Sequence, residues 1–276
     1  MLTTTLDGLW VLQVLAGIEV VAPELGLRPY LPSVESPDAA MRHPVADDLR
    51  KAGAISDSGR VDSAIVDWLS VLSRREIGLC AELCSPRCAD ARIVMARFEH
   101  WWVCLERSDD LVRISGMGRA ETAEAATEII AAQLSRLCGS NGPAAIRPIT
   151  VDAEVFADGC SDPDVLRGYL ESCCREGYER QVMRIACDPD RSAQASIVAL
   201  QSGVRHARTG LIQVADAAVT IIDTTEGRLL AETIHSAGRR WLLIGPGDTR
   251  SVTAAIRTML DRLPAGSKWY SCCRAG

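Results

Sequence analysis

The chain has 276 residues, enough to bury one large core or two closely packed subdomains. Hydrophobic residues make up 47% and charged residues 24%, the balance of a soluble folded protein. The formal charge of −6, with basic residues scattered rather than massed, argues against nucleic acid as a partner, because phosphate binding needs a concentrated positive surface.

The first predicted element is a short β-prone run, Thr5-Leu6-Asp7, whose Asp is expected to cap a helix carrying Leu9, Trp10, Val11 and Leu12. The apolar stretch from Leu9 to Ala22 is interrupted by Gln13 and Glu19 and is too short to cross a bilayer. No charged residue precedes Asp7, so the basic opening of a secretory signal is missing, and the chain reads as cytosolic. From Pro23 to Gly59 five prolines break any long period. This segment is expected to wrap the body as ordered loop with short helices near Asp38 to Met41 and Val45 to Ala52.

Ile65, Trp68, Leu69 and Leu72 share one face of a predicted helix. A β-rich stretch follows from Ile77 to Ser115, with strands expected at Ile77 to Leu83, Arg92 to Phe98, Trp101 to Arg107 and Leu111 to Ser115. A helix from Glu121 to Cys138 closes this half. Thr150-Val151-Asp152 then repeats the opening pattern, and Ser161-Asp162-Pro163 starts a helix with Asp as cap and Pro at the first position. Strands are expected between Ser196 and Ile244, including Ala217 to Asp223 and Arg228 to His235, with another beginning at Arg239. The last helix runs from Thr249 to Leu263, stopped by Pro264 and Gly266.

The order of elements thus recurs, and Ser135-Arg136-Leu137 finds an echo in Asp261-Arg262-Leu263. Two pseudo-twofold related halves are expected, residues 1–144 and 145–276, in one compact unit. The fold class is α/β of the α+β type, each half with a mainly antiparallel sheet and flanking helices.

Chemical motifs are few. Eleven Cys, an odd number with vicinal pairs Cys173–Cys174 and Cys272–Cys273, do not form an orderly disulfide framework, and reduced thiols are expected. Cys80, Cys84 and Cys88, with Cys104 beyond, could be read as a metal site. On a strand, however, Cys80 and Cys84 would stand about 13 Å apart, and core packing is the favoured role. His43, His100, His206 and His235 lie near no nucleophile motif, so structural roles are expected. Gly116-Met117-Gly118 and Gly245-Pro246-Gly247-Asp248 read as strand-to-helix turns, since neither continues into a phosphate loop. Trp101-Trp102 leaves two dispositions open: one ring outward as an interface anchor, for which Trp101 is the candidate, or both buried beneath helices.

The chain resembles the EspG family, cytosolic chaperones of mycobacterial type VII (ESX) secretion. The resemblance is carried by Thr3 to Trp10, Pro23-Glu24-Leu25-Gly26-Leu27-Arg28-Pro29, Trp68 to Arg75, Phe98-Glu99-His100-Trp101-Trp102-Val103 and Leu263-Pro264-Ala265-Gly266, in order over nearly the whole chain. It implies a fold with pseudo-twofold related halves. It also implies an activity: recognising the exposed tip of the PPE protein in a PE–PPE heterodimer, keeping it soluble and directing it to one ESX system. No cofactor, metal, catalytic residue, small-molecule substrate or membrane insertion is implied. The contacts implied are the loop Ser85, Pro86, Arg87 to Asp90 and a helical segment with Glu176, Tyr178, Gln181 and Met183. The competing readings are a thiol- or metal-dependent enzyme using the Cys80 to Cys104 region, and a structural subunit of a larger assembly.

Overall fold

The computed structural model describes residues 1–86, 88–139, 141–205 and 208–271. Arg87, His206 and the pair Cys272–Cys273, singled out in the sequence, lie outside the described residues. In the first half, β1 (Leu2–Thr5) leads into α1 (Leu6–Ala16), and the Pro-rich segment holds α2 (Pro37–Arg42) and α3 (Val45–Lys51) before α4 (Ser63–Arg74). Then come β2 (Ile77–Ser85), β3 (Cys88–Phe98), β4 (Trp101–Ser108), β5 (Leu111–Arg119) and α5 (Ala123–Cys138). The second half runs β6 (Ile149–Asp152), α6 (Ala153–Ser161), α7 (Pro163–Cys173), α8 (Gly177–Ala186), β7 (Ala193–Arg205), β8 (Arg208–Thr224), β9 (Gly227–Ser236), β10 (Arg239–Pro246) and α9 (Thr249–Asp261).

All ten strands belong to one antiparallel sheet, ordered β1-β5-β4-β3-β2-β7-β8-β9-β10-β6. From the centre outward, β2, β3, β4, β5 and β1 are answered by β7, β8, β9, β10 and β6, so each strand has a counterpart one half later. The halves share a single sheet, because β2 pairs with β7 from Ile77↔Gln201 to Cys84↔Gln194. The midpoint of the symmetry is the pair Ala81–Ile197. Ala81 pairs onward to Ile93 and Ile93 to Glu106, while Ile197 pairs onward to Val219 and Val219 to Glu232. The repeated Arg-Leu dipeptide obeys the same relation. Arg136 is ion-paired with Glu106, whereas burial pushes the Glu232 carboxyl up and nearby Arg262 opposes that shift.

Strand alternation splits the core into two faces. On one face Val94, Ala96, Val103, Leu105, Val112 and Ile114 pack beneath α1 to α4. On the same face of the second half, Leu229, Ala231 and Ile244 pack beneath α6 to α8. The opposite face carries Leu79, Met95, Trp102, Ile197, Val219 and others beneath α5 and α9, which straddle the seam. The Pro-rich segment wraps as expected: Leu25, Leu27, Tyr30 and Leu49 are buried. Arg75 holds it down, reaching Glu24 at 2.5 Å and the Val21 carbonyl at 2.7 Å.

Two local expectations need correction. The cap of α1 is Thr5, whose Oγ1 accepts from the Gly8 N–H at 3.2 Å, and Asp7 falls in the first turn. The strand ends two residues before Asp7, which still favours the helix dipole from the first turn. Asp152 does cap its helix, accepting from Glu154 and Val155. Gly116-Met117-Gly118 lies inside β5 as a bulge, since Trp102 pairs with Gly118 and Val103 with Gly116. A side chain at Gly116 would place its Cβ 2.9 Å from the Trp68 indole nitrogen, so close packing explains this glycine. The turn into α5 comes later, at Thr122, which caps through Ala125.

The link between halves is pinned by Arg228. Its guanidinium takes both carboxylate oxygens of Asp223 at 2.7 and 2.8 Å and donates to the carbonyls of Cys138 and Gly139 at 3.0 and 2.9 Å. The Ala144 N–H donates to the Arg228 carbonyl at 2.9 Å, and the Arg228 N–H donates to Gly142 at 2.7 Å. Gly227 permits this approach, with φ 120° and with Ala144 N only 2.7 Å from where a Cβ would sit.

Candidate protein interface

β2 and β3 extend as a hairpin past the last covering helix. Its end pairs Ser85 with Cys88 after a register shift at Leu83. Pro86 and Asp90 are exposed and Ser85 is half-buried. The hairpin is tied to the next strand by Ser108, whose Oγ donates to the Asp90 carbonyl at 3.0 Å. Beneath the hairpin, beyond the C-terminus of α5, lies a cavity of about 530 Å³. Leu83, Ala91, Ile93 and Ile221 give it an apolar floor, and Arg107, Arg113 and Arg136 stand among its polar walls.

The helical candidate meets the same end of the sheet. Gln194, the register partner of Cys84, donates from Nε2 to the carbonyl of Ala186, the last residue of α8, at 3.0 Å. Along α8, Glu176 is the N-cap in a capping box with Glu179 and pairs with Arg147 at 3.3 Å. Tyr178 and Gln181 are exposed, one helical turn apart. Met183 points inward, 1% exposed, among Leu170, Val182 and Ala186, where it anchors the helix.

Trp101 and Trp102 adopt the first disposition: Trp102 is 1% exposed and Trp101 54%. Trp101 stands at the far end of β3 from the hairpin tip, roughly 33 Å away at the strand rise of about 3.3 Å per residue. The structure therefore sets Ser85, Pro86 and Asp90 at the end of the sheet that the C-terminus of α8 reaches through Ala186, with exposed Tyr178 and Gln181 further back along that helix, and leaves Trp101 at the opposite end of β3. The sequence reading passed over Arg184, one turn beyond Gln181 on the same exposed stripe. Its signal was the i, i+4 pair Arg180 and Arg184 on an amphipathic helix.

The cysteines divide by cover. Cys104 is buried, and burial holds its thiol up at about 12; Cys80, half-buried, is likewise pushed up to about 12 by burial and by Glu24. Core packing fits these two. Cys84 and Cys88 are exposed, contrary to the expected core role, because they lie at the hairpin end, where the cavity beyond the C-terminus of α5 leaves the strands open. Cys173 and Cys174 share a thiol–thiol hydrogen bond at 3.9 Å and form no disulfide. A hydrogen bond from Cys187 lowers the Cys160 thiol. Iodoacetamide at about pH 7.5 is expected to modify exposed Cys88 and Cys160 well before Cys80, Cys104 and Cys138, because a raised thiol holds its proton. Peptide mass mapping of the folded protein checks the order, and early labelling of Cys104 would contradict it.

The sequence matches the EspG family model over residues 5–258. The chain belongs to the EspG family. It is 42% identical to the ESX-2 secretion-associated protein EspG2 of Mycobacterium tuberculosis, over 98% of each chain. It is 24% identical to the ESX-5 secretion-associated protein EspG5 of Mycobacterium marinum, over 96% of this chain and 94% of that one. Its fold matches the Mycobacterium tuberculosis type VII secretion system chaperone EspG5, solved in complex with a PE25–PPE41 dimer. The TM-score is 0.73 at 22% identity, covering 98% of this chain and 99% of that one. The EspG fold, with its α+β architecture and single large antiparallel sheet, is thus the fold of this chain. Among the described residues no helix is long and apolar enough to cross a membrane, and no three His, Cys, Asp or Glu converge as a metal would require.

Proposed function

We propose that this EspG protein is a cytoplasmic, non-enzymatic chaperone. It binds the tip of a PPE protein within a PE–PPE heterodimer, keeps it soluble and directs it to one ESX secretion system. The observation that carries the reading is that the β2–β3 hairpin and the C-terminus of α8 are both tied to β7 at one end of the sheet, through Gln194, which pairs with Cys84 and donates to the Ala186 carbonyl. Covering an apolar tip there removes from water a patch that would otherwise aggregate. The solved relative, EspG5 with a PE25–PPE41 dimer, supports the partner class. Against a thiol enzyme stands the protonated state of Cys80 and Cys104, neither of which would supply a nucleophilic thiolate near neutral pH.

Co-expression with PE–PPE pairs from neighbouring genes, followed by size-exclusion chromatography, tests the proposal. One pair is expected to co-elute as a single complex, and failure of every pair would overturn the reading. Within such a complex, Pro86→Arg with Asp90→Lys is expected to weaken binding about tenfold or more, roughly 1.4 kcal/mol, while the melting temperature stays nearly unchanged. Trp101→Ala, at the opposite end, is expected to leave affinity within about twofold by the same conversion. Titration calorimetry on the three proteins would measure both.

A further inference from the structure

Between α7 and α8 runs a groove of about 510 Å³ walled by Arg167, Arg180, Arg184 and Arg191, with Glu171 as its lining acid. In a chain of net charge −6, four guanidinium groups around one groove reverse the local sign. Two of them are already engaged: Arg167 pairs with Asp164 on its own helix, and Arg180 donates from Nη1 to the Cys174 carbonyl at 3.2 Å. Arg184 and Arg191 make no side-chain hydrogen bond or ion pair among the described residues.

The framework that presents them is fixed. α8 is anchored by buried Val182, Met183, Ile185 and Ala186 and by its capping box. Arg191 follows in a turn closed by its own N–H to the Asp188 carbonyl at 3.0 Å. Arg184 lies on the exposed stripe that begins at Tyr178 and Gln181. A guanidinium offers a planar fork of N–H donors matched to a carboxylate, and little side-chain freedom is lost when the backbone beneath it is rigid. The space exceeds what one small anion fills, so the occupant that matches both size and charge is a stretch of chain with several carboxylates.

We propose that this groove binds an acidic segment of the polypeptide client, Asp and Glu side chains lying beside the tip that packs on the hairpin and α8. The proposal rests on the chaperone reading for the identity of that client. The apolar cavity beneath the hairpin takes the greasy part of the client; the arginine groove takes its charge, steers the encounter and helps choose among similar tips. It adds a salt-sensitive component beside the apolar floor of the hairpin cavity.

The test uses the full chain with its co-expressed PE–PPE pair and compares wild type with Arg184→Glu/Arg191→Glu and with the neutral Arg184→Gln/Arg191→Gln. Affinities are measured at about 50 mM and about 300 mM salt, across which screening of exposed charges changes strongly. Wild-type binding is expected to weaken with salt. The reversed variant is expected to bind about tenfold more weakly at low salt with a flattened salt dependence, and the neutral variant to fall between. Wild-type affinity and salt dependence in both variants would overturn the groove while leaving the chaperone intact. If no client binds even the wild type, the chaperone reading fails, and the groove is then tested directly with a Glu-rich peptide on the isolated chain. Binding lost in both double variants upholds an acidic polypeptide site. No binding, or displacement by inorganic phosphate at equal concentration, overturns it. Should the reversed variant fail to fold, the neutral one carries the comparison.

Discussion

Trp102→Ala is expected to lower the unfolding free energy by about 3–5 kcal/mol, the usual cost of emptying a large aromatic site in a core. The melting temperature is expected to fall by roughly 10 °C for a chain of this size. Trp102 lies under α5 and α9, where its ring meets Trp269 edge-on with centroids 6.4 Å apart. Trp269 is itself fixed by its indole N–H, which donates to Asp261 Oδ1 at 2.9 Å, so it cannot easily collapse into the void. The Trp102 indole nitrogen has no hydrogen-bond partner, so Trp102→Phe keeps the aromatic contact and sheds an unsatisfied donor. The Phe variant is therefore expected to lose clearly less than the Ala variant. Urea titration of the two checks the order, and equal losses would show that the indole fit, rather than ring burial, holds the site.

Arg228→Met is the second large effect, at about 3–5 kcal/mol, because removing one member of a buried ion pair strands the other. Asp223 would lose both of its forked hydrogen bonds, and the carbonyls of Cys138 and Gly139 would lose their donor. The guanidinium is held even further up than usual, chiefly by its hydrogen bonds to Asp223. A raised cation contributes fully below its unfolded value, so Arg228 stays charged throughout the workable pH range and its contribution is flat there. The loss should be local as well as global. Amide exchange in residues 141–146 is expected to accelerate more than in β3, and unchanged exchange in that segment would refute the pinning role.

Much of the fold was legible because its signals are local. Asp152, Asp162 and Asp248 cap helices through their carboxylates, and the antiparallel set from Ile77 to Ser115 follows alternation and short turns. The duplication was legible in element order and in the paired Arg-Leu dipeptides. What the sequence did not display is non-local. The pairing of β2 with β7 joins residues more than a hundred positions apart, and nothing in either strand names the other. Whether Cys84 or Cys104 is covered depends on where helices end, a property of the other elements. Thr5 and Asp7 are both good caps, and only the strand's last hydrogen bond decides between them. At the candidate interface the hairpin followed from resemblance, whereas the four arginines around one groove come from α7, α8 and the loop after it, and converge only on folding.

The seam at Ala81–Ile197 has a mechanical corollary. Hairpin and α8 arise on opposite sides of it, yet the backbone rungs between β2 and β7 run across it unbroken, and Gln194 of β7 ties the C-terminus of α8 to the same frame. On the chaperone reading proposed above, a cargo touching both is gauged against a span set by this shared frame. On that same reading, a tip a turn too long or too short meets one prong and misses the other.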